Sequence, residues 1–169
     1  HMSVEFRHPT LQDAPSITNL IRRCDTLDAN SHYAHLLLCH HFCQTCIVAV
    51  ARSEIVGFVS AFRPPPQSDV LFVWQVAVAA EARGAGIARR MLTELVQRVS
   101  DDDIRYLEAT VTPSNTASRR LFEGFARRHS ALLSKERLFS SDLFRGVELH
   151  EPEDLFRIGP LPSMTSTRY

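Results

Sequence analysis

The sequence has no net charge, since 19 Lys and Arg residues balance 19 Asp and Glu over 169 positions. Such a chain has no broad field to draw it to nucleic acid or an anionic membrane, which counts against binding modules that need a basic surface. It also lacks any apolar run near the ~20 residues that span a bilayer, so no membrane partner is expected. No secretory pattern shows. His1-Met2 reads as an expression remnant, and Phe6-Arg7-His8-Pro9 breaks any apolar stretch behind it, so the expected location is cytoplasmic. With no internal repeat and no domain boundary, residues 3–169 are expected to form one domain that buries about 70% of its unfolded surface.

Cysteine is sparse. Cys24, Cys39, Cys43 and Cys46 cluster in the first third, in a chain with enough core to fold without staples, and read as free thiols. Cys39-x-x-x-Cys43-x-x-Cys46 has the spacing of radical-SAM iron–sulfur ligands, and zinc is the other metal reading. Placement opposes both, because Cys39 falls late in a helical run and Cys46 begins a strand. The expectation is no metal.

What is present alternates strands and helices. A short strand at Val4–Arg7 precedes a helix opened by the capping-box-like Thr10-Leu11-Gln12-Asp13, with Ile17, Leu20, Ile21 and Cys24 on one face. A second helix is expected over Ser31–His41, anchored by Leu36 and Leu37. Cys46–Ala51 and Ile55–Phe62 read as a hairpin. Pro64-Pro65-Pro66 forces a loop. Val70–Ala79, apolar on both faces apart from Gln75, suits a central strand. A helix over Gly86–Val99, a strand at Tyr106–Val111 and a helix from Pro113 or Ser114 through Phe125 follow. Strands near Ser130–Lys135 and Leu155–Ile158 close the chain. The class is α/β, with antiparallel strands first and a βαβα unit in the middle.

Strand, glycine-bearing turn and helix meet at Arg83-Gly84-Ala85-Gly86-Ile87-Ala88. Unpaired N–H groups and the positive end of a helix converge there, which suits a phosphate or pyrophosphate. A P-loop would need Gly-Lys-Ser/Thr, and Ile87-Ala88 follows Gly86 instead. A dinucleotide fingerprint would need a third glycine where Arg89 stands. What remains resembles the acetyl-CoA motif of the GNAT acetyltransferase superfamily, Arg/Gln-x-x-Gly-x-Gly/Ala, at Arg83, Gly86 and Ala88. Asn115 to Phe122 resembles that superfamily's Asn-x-x-Ala/Ser-x-x-Leu-Tyr/Phe segment. By itself Asn115 reads as a helix cap after Thr112-Pro113; beside the Arg83 motif it reads as a CoA contact.

The resemblance, over Val4 to Arg128, implies a GNAT fold with a central mixed, largely antiparallel twisted sheet flanked by helices. It implies acetyl-CoA as co-substrate, direct attack by an amine, and a homodimer. Val76, Ala77 and Val78 would supply backbone atoms to the pantetheine and thioester, and Arg83, Gly84, Ala85, Gly86, Ile87 and Ala88 would hold the pyrophosphate. The sequence departs from many relatives in having Phe122 where they carry a tyrosine acid.

Further blocks resemble one family within it, the L-2,4-diaminobutyrate acetyltransferases of ectoine biosynthesis: Leu27 to Tyr33, Leu36 to Phe42, Val70 to Val78 and His150 to Pro160. That resemblance implies acetylation of the γ-amine of a small diamine, L-2,4-diaminobutyrate. Asp28, His150 and Glu153 are the candidate catalytic residues. Asp28, Tyr33, Trp74, Glu151 and Glu153 are the candidate substrate contacts. Each also has a plain reading: Asp28 as a cap of the helix near Ser31, Tyr33 and Trp74 as packing, His150 as a surface histidine. Another amine acceptor, or a non-catalytic acyl-CoA sensor, remains as the alternative.

Overall fold

The structure, a computed structural model, describes residues 3–24, 30–99 and 103–162. Seven strands form one sheet: β1 (Glu5–Arg7), β2 (Ile47–Ala51), β3 (Glu54–Phe62), β4 (Val70–Val78), β5 (Tyr106–Val111), β6 (Leu133–Phe139) and β7 (Glu153–Ile158). Their order is β1-β2-β3-β4-β5-β7-β6. Every pairing is antiparallel except β4 with β5. The last strand in sequence therefore lies between β5 and β6.

Among the described residues four α-helices flank the sheet: α1 (Ala14–Arg22), α2 (His32–His41), α3 (Ile87–Val99) and α4 (Thr116–Arg128). The expected capping box at Thr10 and Asp13 is present. α1 buries Ala14, Ile17, Leu20 and Ile21 against the sheet. Cys24 falls beyond its end yet stays buried. α2 is capped by the Ser31 side chain, which accepts the Ala34 N–H. Its fully buried residues are His35, Leu38 and Cys39; of the expected anchors, Leu36 is partly buried and packs against the core. α3 turns Ile87, Met91, Leu92, Leu95, Val96 and Val99 inward.

β3 is buried continuously from Val56 to Ala61 because helices cover both its faces. Gly57 shows how closely α3 approaches: an added Cβ there would lie 2.9 Å from Met91 Sδ. The Arg52-Ser53 turn of the β2–β3 hairpin has positive φ at both residues, the geometry that matches strand twist. β6 begins later than expected, at Leu133, because Ser130 takes a left-handed φ of 50° in the turn after α4.

Candidate active site

The site opens where a ladder stops. β4 pairs with β5 only from Val70–Val73 against Tyr106–Ala109, while its C-terminal half continues along β3. The Ala79 N–H donates to the Val56 carbonyl (2.8 Å), and the Gln75 N–H to Ser60 Oγ (3.1 Å). Strand alternation then points the polar backbone groups of Gln75, Ala77 and Ala79 at β3, and those of Val76 and Val78 into the gap beside β5. Of the three expected backbone contacts, Val76 and Val78 face the opening; Ala77 does not, since the β3 ladder takes its N–H. Cys24 Sγ lies 3.8 Å from the Val78 carbonyl at the edge of this gap.

Beyond β4, a short helical turn at Ala80–Ala82 leads through Arg83–Gly86 into α3. Gly84 and Gly86 have φ of 85° and 69°, which strain any residue with a Cβ. A Cβ on Gly84 would meet open space, whereas one on Gly86 would sit 3.3 Å from the Arg89 guanidinium. The first N–H groups of α3 have no acceptor within the helix, and its dipole adds about half a positive charge there. Cations collect alongside. The pKa of Arg128 on α4 is lowered by desolvation and then by the nearby Arg89 and Arg127. A pyrophosphate fits this end of the gap.

On the sheet face turned away from α3, a groove of about 820 Å³ runs from Trp74 past Phe72 to Phe62, over Glu108, Leu155 and Arg157. Trp74 is the extra residue of a bulge: Ser60 faces Gln75 and Ala61 faces Val73, which leaves Trp74 between them. It is 44% exposed, so the packing reading fails for it. Arg157 donates to Glu108 Oε2 at 2.9 Å and lies 3.8 Å above the Tyr106 ring. These floor residues were not foreseen. Their signal was a charged residue flanked on each side by an apolar one, Glu108 in Leu107-Glu108-Ala109 and Arg157 in Phe156-Arg157-Ile158.

Glu153 opens β7 opposite Phe139 and shares its strand face with Leu155 and Arg157; it and His150 lie beyond the residues that line the groove. His150 Nε2 stands 3.8 Å from Glu153 Oε1, both side chains being largely buried. The His150 ring stacks on Phe144 at 4.1 Å, and its Nδ1–H donates to the Glu151 carbonyl at 2.5 Å. In the neutral ring Nε2 is then the basic nitrogen, facing a carboxylate.

Glu151, Tyr33 and Asn115 lie outside the groove lining. The Glu151 carboxylate is taken by Ser114, whose N–H and hydroxyl both donate to it. Tyr33 is 67% exposed on α2 and does not line the groove. Asn115 caps α4, its side-chain oxygen accepting the Ser118 N–H at 3.0 Å. Asp28 lies outside the described residues. Burial pushes the Cys39 thiol up to about 11 and the Cys46 thiol to about 12, which disfavours the thiolate that a metal ligand needs. Among the described residues no group of three or more His, Cys, Asp or Glu side chains converges on a metal position. No helix among them is long and apolar enough to cross a membrane.

A seven-stranded sheet splayed after β4, with a glycine turn at the mouth of the splay, is the architecture of an acyl-CoA-dependent acetyltransferase. The chain belongs to the acetyltransferase (GNAT) family, whose model matches residues 14–125, and the co-substrate is acetyl-CoA. Within it the chain is a member of the L-2,4-diaminobutyric acid acetyltransferase group. It is 46% identical over 155 residues to that enzyme of Shouchella clausii, covering 92% of this chain and 86% of the relative. It is 44% identical over 158 residues to the one of Marinococcus halophilus, covering 94% and 91%. A solved structure of diaminobutyrate acetyltransferase EctA from Paenibacillus lautus, in complex with L-2,4-diaminobutyric acid and coenzyme A, matches at a TM-score of 0.90 and 43% identity, over 95% of this chain and 96% of that one.

Proposed function

We propose that the chain transfers the acetyl group of acetyl-CoA to the γ-amine of L-2,4-diaminobutyrate, releasing CoA and N4-acetyl-L-2,4-diaminobutyrate. The observation that carries this reading is the gap between β4 and β5. It has an anion-binding turn at one end and, at the other, a largely apolar groove that begins at Trp74 and carries the carboxylates of Glu108 and Glu136. The relatives with that substrate in their names match nearly the whole chain and support it.

In this reading the Val76 N–H donates to the thioester carbonyl and stabilises the negative charge that develops there. An alkylammonium has a pKa of about 10.4, so near neutral pH only ~0.1% of the amine is nucleophilic, a cost of about 4 kcal/mol unless the site takes the proton. Glu153 and His150 Nε2, 3.8 Å apart, accept it together in this reading. Trp74 walls the acceptor groove and offers its ring face to an ammonium. Asp28 holds the second amine. Phe122, buried at 3% exposure, has no proton to give the sulfur. A thiol pKa of about 8.5 lets the thiolate leave unaided.

The product is the compound whose cyclisation yields the compatible solute ectoine, which would place the reaction in the cytoplasm. The protein acts as a homodimer in this account. Support comes from the exposed Leu143, Val147 and Leu149, apolar residues in the segment after β6. Two-dimensional NMR of the product tests the regiochemistry: acetylation at the γ nitrogen supports the proposal, and acetylation at the α nitrogen overturns it. Sedimentation equilibrium tests the assembly in the same way, a monomer mass at micromolar concentration being the contrary result.

A further inference from the structure

L-2,4-diaminobutyrate carries a carboxylate as well as two amines, whereas Asp28, His150, Glu153 and Trp74 suit only the amines. A carboxylate drawn out of water needs a cation or well-placed N–H donors. Among the residues that line the groove, Arg157 is the one cation.

Arg157 and Glu108 stand directly opposite each other across the β5–β7 ladder, where side chains of opposite charge meet. The Arg157 Nη1–H donates to Glu108 Oε2 at 2.9 Å, and the guanidinium carbon lies 3.8 Å from the centre of the Tyr106 ring. The Glu108 side chain is 7% exposed and that of Arg157 34%. Glu108 thus holds the guanidinium from below while part of it stays within reach of the groove. A guanidinium has five N–H donors in a fixed fork, more than one carboxylate can take up. Its planar geometry matches a second carboxylate through two parallel bonds. Glu136 lines the same groove, but it is exposed, and water weakens its repulsion.

The position along the sheet matters as much as the charge. Glu108 pairs with Phe72, in the part of the β4–β5 ladder that is still closed, and the gap begins beyond Val73 and Ala109. A carboxylate held at Arg157 keeps the adjoining α-nitrogen at that closed end. The γ-nitrogen, two carbons further on, then extends past Trp74 towards the gap. We infer that Arg157, oriented by Glu108, receives the α-carboxylate of the acceptor and so selects which nitrogen reaches the thioester. The inference rests on the acetyl-transfer reading of the gap.

The test titrates the CoA-bound protein by calorimetry with L-2,4-diaminobutyrate and with 1,3-diaminopropane, the same diamine without its carboxylate. The wild type is expected to bind diaminobutyrate about thirtyfold more tightly than diaminopropane, and Arg157→Gln to bring that ratio within about threefold. Arg157→Lys, which keeps the charge and loses the fork, is expected to fall between them. Arg157→Gln leaves the Glu108 carboxylate buried without its partner. If that variant does not fold, the double variant Glu108→Gln/Arg157→Gln removes both charges and gives the same ratio. A wild-type ratio near one would overturn the inference. So would a variant ratio equal to the wild-type one, as when both ligands weaken together because the pair serves the fold alone. If the wild-type protein acetylated no amine, the acetyl-transfer reading would fail, and the two titrations would still decide whether Arg157 holds the carboxylate.

Discussion

The carboxylate of Glu151 accepts both the backbone N–H of Ser114, at 3.2 Å, and its hydroxyl, at 2.5 Å. This pair ties the β6–β7 connection to the residue just before the α4 cap, and so joins the two sides of the site. His150 and Glu153 flank Glu151 on the acceptor side, and Asn115 follows Ser114 on the coenzyme side. Glu151→Ala is expected to raise KM for the diamine about threefold or more, with a smaller fall in kcat. Steady-state kinetics with each substrate varied in turn checks this. A change confined to Tm would mean that the pair serves stability alone.

Gly86 holds a φ of 69° with Arg89 against it. Gly86→Ala is therefore expected to cost about 1 kcal/mol of stability and to raise KM for acetyl-CoA about tenfold, because the added methyl distorts the turn that receives the pyrophosphate. KM for the amine should hardly change. Isothermal titration with CoA, with a thermal melt alongside, separates the two effects.

Glu153 shares the strand face of Leu155 and Arg157, just beyond the groove lining, with His150 Nε2 beside it. Glu153→Gln keeps the shape and removes the base, so kcat/KM is expected to fall about a hundredfold near neutral pH. The acidic limb of the pH–rate profile should change with it. Asp28→Asn, measured in parallel, is expected to raise KM for the diamine rather than to lower kcat. Wild-type kcat/KM in both variants would remove these residues from the mechanism.

Far from the site, Arg7 meets Asp13 through two bonds of 2.7 and 3.0 Å. The guanidinium, assisted by the Thr10 N–H, holds the Asp13 carboxyl below the usual carboxylate range. A depressed pKa stabilises the fold above the unfolded value of about 3.9, and that stability is lost as pH falls through the folded one. The partly exposed Arg7 keeps the contribution to about 1 kcal/mol. Asp13→Asn should thus melt a few degrees below wild type at pH 7, a difference that closes under about pH 3. A difference constant with pH, followed by circular dichroism, would mean that the charge is not the source.

How much of this was legible in the sequence varies with the range of the interaction. The Arg83–Ala88 turn, the apolar β4 and the faces of α1 and α3 are local patterns, and they read correctly. The groove floor is not local. Glu108 and Arg157 meet only because β7 inserts between β5 and β6, and strand order leaves no mark in periodicity. Because β4 is apolar on both faces, Trp74 kept a packing reading beside its expected substrate contact; the bulge that exposes it depends on the register with β3. In α2 the expected anchors were Leu36 and Leu37, yet His35 is among the residues turned inward. Thr18, remote in sequence, meets its Nδ1 at 2.7 Å, and hydropathy alone cannot see such a partner.

The most direct test is acetyl-CoA-dependent release of CoA thiol across a panel of L-2,4-diaminobutyrate, ornithine, lysine, spermidine and a peptide amine. The account requires strong preference for diaminobutyrate, with the acetyl group on its γ nitrogen. Preference for another amine would contradict the substrate while leaving the gap and its chemistry in place. CoA binding without turnover of any amine would contradict the enzyme itself and favour an acyl-CoA sensor.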